Sequence, residues 1–164
     1  MTKDKITDKK ERLIVGLMIV NADKHVFVGR RFDCKDTKFD SWQMPQGGID
    51  PGEIPSETAF REMKEEIGCN NADIIAESTE WYSYQFPKEL QSKLWNGHFD
   101  GNKQRWFLMR FRGQDADINL NLTDHPEFIE WKWVHYSLLT ELIVPFKREV
   151  YTQAVQEFSW YFES

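Results

Sequence analysis

Thirteen residues held between a proline and a glycine constrain this chain most. PSETAFREMKEEI, residues 55–67, begins with Pro55 and stops just before Gly68. Proline suits a first helical turn, where its missing N–H costs nothing, and glycine suits the turn that ends a helix. At about 100° per residue, Ala59, Phe60, Met63 and Ile67 fall on one face of such a helix. Glu62, Glu65 and Glu66 fall on another, because spacings of three and four bring side chains together. One face must pack and the other presents carboxylates. The stretch from Gly47 to Gly68 carries six acidic and two basic side chains. Two like charges about 4 Å apart cost roughly 4 kcal/mol at an effective dielectric near 20. A bare EMKEE would read as a solvated face. Beside a loop rich in glycine and proline, the same carboxylates form a set of hard oxygen ligands, suited to Mg²⁺ shared with substrate phosphates.

The flanks read as strands. LIVGLMIV (13–20) is a continuous apolar run, the pattern of a strand buried on both faces. NADK turns the chain into HVFVGRR, which suggests a hairpin. FDCKDTKFD (32–40) is a polar connection, and SWQMP is a brief extended piece stopped by Pro45. Beyond the helix, DIIAESTEWYSYQFP (73–87) reads as one strand, and residues 88–102 as a polar excursion. KQRWFLMRFRG (103–113) and FIEWKWV (128–134) are further strands, and SLLTEL is a short helix. Apolar residues at 146, 150, 151, 154, 155, 158 and 162 mark a packed C-terminal helix. The order predicts an α+β fold, an α/β/α sandwich with a central mixed β-sheet. Residues 1–9 form a short polar arm and 10–164 a single domain.

Composition narrows the function. A formal charge of −6 argues against extended binding along nucleic acid, which needs a basic surface, but leaves room for gripping one nucleotide end. Aromatic residues make up 15% of the chain, enough to fill a core and still stack on flat ligands. No apolar run approaches the roughly 18 residues of a membrane span, and the charged start lacks the apolar core of a signal peptide. Cys34 and Cys69 read as free thiols, and the expected compartment is the cytoplasm.

Written as G-x5-E-x7-R-E-U-x-E-E-x-G-U, with U a bulky apolar residue, residues 47–69 resemble the Nudix box. Gly47, Glu53, Arg61, Glu62, Met63, Glu65, Glu66, Gly68 and Cys69 fill its nine specified positions, Cys69 being a soft fit. The resemblance implies metal-assisted cleavage of a nucleoside diphosphate linked to another group. It also implies that the Gly47 carbonyl joins the metal shell, and that Glu53 and Arg61 fix the loop against the helix. SWQMPQGGID, KQRWFL, PEF, EWKWV and VPFKREVY extend the likeness to the bacterial RNA pyrophosphohydrolase family, over about residues 10–160. That likeness implies a substrate at the 5′-triphosphate end of RNA. The similar diadenosine polyphosphate hydrolases, which share WQMPQGG, are the competing reading, and a non-catalytic nucleotide sensor is a third.

Residue by residue, the resemblance makes Glu127 of PEF a further metal ligand or base. Arg12, Arg30 and Arg31 would meet phosphates, through forks of donors that match phosphate oxygens. Val144, Phe146 and Lys147 match the segment that contacts the first bases, although Phe146 is equally readable as core. Gln43 and Gln46 fit as polar liners, and Trp42 as core. Pro145 and Met44 depart from the residues common at those positions. His25, His98, His125 and His135 lack metal-ligand spacing. The expected centre is therefore two or more Mg²⁺, or Mn²⁺ in their place, among Glu62, Glu65, Glu66, Glu127 and the polyphosphate. Glu65 is the expected base, with Glu127 its competitor. No obligate protein partner is implied.

Overall fold

The structure is a computed structural model. It describes residues 10–31, 41–91 and 93–164, so the expected arm at 1–9 and the polar connection at 32–40, with Cys34, lie outside the described residues. In chain order the strands are β1 (Glu11–Val20), β2 (Val26–Arg31), β3 (Trp42–Gln43), β4 (Gln46–Gly48), β5 (Ala72–Glu77), β6 (Tyr82–Gln85), β7 (Gly101–Phe111) and β8 (Phe128–Val134). The helices are α1 (Pro55–Ile67), α2 (Lys88–Gln91), α3 (Leu139–Leu142), α4 (Arg148–Glu157) and α5 (Ser159–Phe162), with short 3₁₀ turns between some of them.

β1 and β7 form the centre of the sheet and run parallel over ten residue pairs, from Glu11 opposite Gly101 to Val20 opposite Arg110. Every other pairing is antiparallel, which makes the sheet mixed. The central strands are apolar on both faces, as expected of a covered parallel pair. Val15, Leu17, Ile19, Phe107 and Met109 pack toward Ala59, Met63 and Ile67 of α1. Met18, Trp106 and Leu108 pack the other way, toward Val150, Tyr151, Ala154 and Phe158. Two cores on opposite faces of one mixed sheet give the α/β/α sandwich that was expected.

α1 begins at Pro55 and ends where Gly68 takes a left-handed φ of 86° and donates its N–H to Lys64 O at 3.0 Å. A side chain at Gly68 would also collide with the backbone of Asn119. Glycine is thus required twice over at that turn.

The long strand expected over 73–87 is divided into β5 and β6. Ser78, fully buried, causes the break: its N–H donates to Trp106 O at 2.8 Å and its hydroxyl donates to Glu80 O at 2.8 Å. Trp106 N–H in turn donates to Ser78 Oγ at 3.0 Å, so a side chain satisfies a group that a regular ladder would pair. The C-terminal helix expected from 146 to 162 is also interrupted. Pro145–Lys147 forms a separate 3₁₀ turn, and Phe158 leaves helical geometry at φ −107°, ψ 14° while its ring stays in the core. Lys24, in the β1–β2 turn, holds the chain end by donating from Nζ to Tyr161 O at 2.8 Å.

Tyr151 links that helical layer to the strand entering the acidic loop. Its buried hydroxyl accepts the Met44 N–H at 2.8 Å, and burial pushes its own titration far above the usual phenol range. Tyr151→Phe leaves a buried N–H without a partner, so it is expected to cost about 1–3 kcal/mol in urea unfolding. An unchanged midpoint would show that water reaches Met44 N–H.

Candidate active site

The loop between β4 and α1 is held by one guanidinium. Arg61 donates from Nε to Glu53 Oε2 at 2.8 Å and from Nη2 to Glu53 Oε1 at 2.9 Å, the fork geometry only arginine provides. Its Nη2 also donates to Gly48 O at 2.8 Å, which ties β4 to the helix. Asp50 N–H, at 3.0 Å, and Thr58 Oγ1, at 2.7 Å, donate to the same Glu53 carboxylate. These donors, Arg61 foremost, hold Glu53 at a pKa of about 2. Glu53 and Arg61, expected to fix the loop against the helix, are bonded to each other.

A carboxyl held below its ordinary value of 4.5 adds stability above that pH and loses it as pH falls toward about 2. Glu53→Gln is therefore expected to melt well below wild type near neutral pH, with the gap closing as the solution is acidified. A gap independent of pH would contradict the assignment.

Glu62 and Glu66 come together beneath this lock. Glu66 is buried, and a side chain at Gly47 would fall on the Glu62 carboxylate. That approach is why the loop opens with glycine. Burial raises the pKa of both, and for Glu66, raised well above the usual carboxylate range, the neighbouring Glu62 adds to the effect. The backbone N–H of Gln46 bonds to Glu66, and the charge of Glu127 raises it further. Glu65 lies elsewhere, half exposed and 3.3 Å from Arg61 Nη1. Glu127, also half exposed, stands 3.9 Å from Arg31 Nη1. Among the described residues no three carboxylate, imidazole or thiol groups stand close enough to hold a metal ion as they are. The donor set nevertheless fits a hard divalent cation. Two carboxylates this close, one buried and one half-buried, repel each other, and such an ion would relieve that repulsion.

The expected phosphate ligands separate. The Arg12 guanidinium lies over Gly48, where a side chain would strike it. Burial lowers the pKa of Arg12, while Glu62, Tyr84, Asp50 and Glu127 are near enough to raise it. Arg31 reaches toward Glu127, but Arg30 forms a charge-assisted pair with Glu130 directly across the β2–β8 ladder. Gln43 is buried in β3, and Gln46 accepts a hydrogen bond from Gln104 Nε2 at 3.4 Å. Trp42 is only half buried, with Lys132 Nζ 4.1 Å above its ring. Val144 and Phe146 are half buried against the core. The Phe146 ring lies 6.0 Å from that of Tyr84, and the Lys147 ammonium 5.7 Å above Tyr84. The two readings of Phe146 thus share one position, part core and part open surface.

Sequence reasoning assigned no role to Tyr84, Asn102 or Gln104. The last two are buried amides that alternate with Lys103 and Arg105 in a polar half of β7, so the sequence carried no signal for them.

A NUDIX domain model matches residues 10–154. The RNA pyrophosphohydrolase of Rickettsia canadensis (strain McKiel) is 58% identical over 144 residues, covering 88% of this chain and 87% of that protein. The RNA pyrophosphohydrolase of Rickettsia prowazekii (strain Madrid E) is 55% identical over 157 residues, covering 96% and 95%. Among solved structures, the E. coli dihydroneopterin triphosphate pyrophosphohydrolase superposes with a TM-score of 0.64 at 20% identity, covering 88% of this chain and 97% of that one. A C. elegans Ap4A hydrolase complex gives 0.64 at 19% identity, covering 93% and 98%. At those identities the structures speak for the fold alone. The motif, the lock it builds, the family match and the Rickettsia relatives agree: the chain belongs to the NUDIX family, beside its bacterial RNA pyrophosphohydrolases.

Proposed function

We propose that the protein is an RNA 5′-pyrophosphohydrolase. It hydrolyses the 5′-triphosphate end of RNA to a 5′-monophosphate with release of pyrophosphate, and so opens the transcript to decay. The observation that carries this reading is the Glu62–Glu66 pair pressed against Gly47 under the Arg61–Glu53 fork, in a chain 58% identical to a protein named for that activity.

Nudix hydrolases generally use divalent metals, and Mg²⁺ is the ion proposed here, with Mn²⁺ able to replace it. Glu62, Glu66, Glu65, Glu127 and the Gly47 carbonyl would hold it. When bound, such an ion neutralises charge on the polyphosphate and makes a nearby water more acidic. The protein's own groups do the rest. Arg61 keeps Glu62 and Glu53 in place, and the loop with them. Arg12 and Arg31 offer planar forks to phosphate oxygens. Glu65, or Glu127 in its place, accepts the proton of the attacking water. Phe146 stacks on a base, and Lys147 pairs with phosphate. No helix among the described residues is long and apolar enough to cross a membrane, and the cytoplasm is the proposed compartment.

The test is end-group analysis. With Mg²⁺, a 5′-triphosphorylated oligoribonucleotide should yield 5′-monophosphorylated RNA and pyrophosphate, and a chelator should abolish both products. RNA left intact under saturating Mg²⁺ would refute the proposal.

A further inference from the structure

Four buried side-chain nitrogen or oxygen atoms among the described residues lack a hydrogen-bond partner: Asn102 Oδ1, Gln104 Oε1, Trp106 Nε1 and Arg110 Nε. The first three belong to alternate residues of β7, and hence to one face of the sheet. Buried polar groups are normally satisfied, and leaving one bare costs stability. Trp106 Nε1 is a donor set in the core against Tyr151, but the two carbonyl oxygens on one face call for a donor.

The row borders the proposed active site. Asn102 pairs in register with Arg12, Gln104 with Ile14 and Trp106 with Gly16. A side chain at Gly16 would strike both the Trp106 ring and the Gln104 amide, so the neighbouring strand leaves them room. At one end, Gln104 Nε2 donates to Gln46 Oε1 at 3.4 Å, and Gln46 bonds through its backbone to Glu66. At the other, Asn102 Nδ2 donates to the Tyr84 hydroxyl at 2.7 Å, beside Phe146 and Lys147. The row therefore spans the distance from the carboxylates to the segment expected to meet the first bases.

Both amides use their NH₂ groups on the protein and leave a carbonyl oxygen over. A phosphate carries no hydrogen to offer such an acceptor, so this wall does not suit the polyphosphate. It suits an N–H or O–H donor: a base amino or imino group, or a ribose hydroxyl. We propose that Asn102 and Gln104 read the nucleotide that follows the polyphosphate by accepting a hydrogen bond from its base or its ribose. The inference rests on the function proposed above and names the residues that add nucleotide selectivity to it.

Steady-state kinetics of the full chain with Mg²⁺ test this on 5′-triphosphorylated oligoribonucleotides of three kinds: unmodified, with a 2′-deoxyribose at the first position, and with a first purine lacking its amino group. Wild type should show a KM raised about tenfold for one modified substrate, as expected of a site built around a donor, and the identity of that substrate separates ribose from base. Gln104→Met and Asn102→Leu should raise KM for unmodified RNA by a similar factor and no longer distinguish that substrate. Each variant also gives up its bond to Tyr84 or Gln46, so melting temperature is read beside KM, and inhibition by inorganic tripolyphosphate should be unchanged. The modified substrates decide the matter on wild type even where a variant folds poorly. Equal KM for all three substrates would overturn the inference while leaving the activity intact. So would a parallel loss of tripolyphosphate inhibition, which would make the row a phosphate site. Failure of wild type to cleave any of the three would overturn the proposed function itself, and the inference with it.

Discussion

Glu66→Gln is expected to lower turnover of the proposed substrate about a thousandfold while leaving the metal-free protein as stable as wild type, or more so. Glu66 is buried beside Glu62, and burial raises its pKa well above the usual carboxylate range. A glutamine amide has the same shape and carries no charge to bury, so the fold loses nothing. It cannot serve as a charged oxygen ligand. Several kcal/mol of transition-state charge stabilisation are worth about three powers of ten in rate. Two readings check this: kcat at saturating Mg²⁺, and melting temperature with and without the ion. Wild type should gain stability on adding Mg²⁺, because an ion that binds only the folded state stabilises it. The variant should gain much less. A Glu66→Gln enzyme within tenfold of wild-type kcat would remove the carboxylate pair from the mechanism.

The second large effect is expected at Arg61. One side chain forks onto Glu53, donates to Gly48 O, and reaches Glu62 at 2.9 Å and Glu65 at 3.3 Å. Arg61→Met removes all four contacts and leaves Glu53 only its Asp50 and Thr58 donors. The group is partly exposed, so the cost lies at the low end of that for a broken buried pair, about 2 kcal/mol in urea unfolding. Catalysis should suffer about a hundredfold, because groups that orient metal ligands carry up to that much. Arg61→Lys should recover little of either, since an ammonium cannot span both Glu53 oxygens and the Gly48 carbonyl. Full rescue by lysine would show that charge alone, and not the fork, holds the loop.

How much of this was legible in the sequence depended on how local its cause is. α1 was readable because Pro55, Gly68 and the apolar spacing all lie within it. The covered central strand was readable from LIVGLMIV for the same reason. The split of residues 73–87 was not, because it turns on Ser78 meeting the backbone of Trp106, 28 residues away. Nor was the kink at Phe158, where a ring stays in the core while its backbone leaves the helix. In the site, the box gave three carboxylates but could not say which of them the fold buries. Glu65 and Glu66 are neighbours in sequence, yet β4 passes over Glu66 and leaves Glu65 half exposed. Arg30 and Arg31 looked equivalent until a glutamate 100 positions downstream engaged Arg30. Asn102 and Gln104 escaped notice because residues 102–105 are all polar, so no alternation tells the buried face from the exposed one.

The most direct test of the functional claim is a competition between 5′-triphosphorylated RNA and diadenosine tetraphosphate in one reaction with Mg²⁺, read as the ratio of their kcat/KM values. A ratio well above one in favour of the RNA is expected. A clear preference for the dinucleotide would keep the NUDIX chemistry and contradict the proposed substrate.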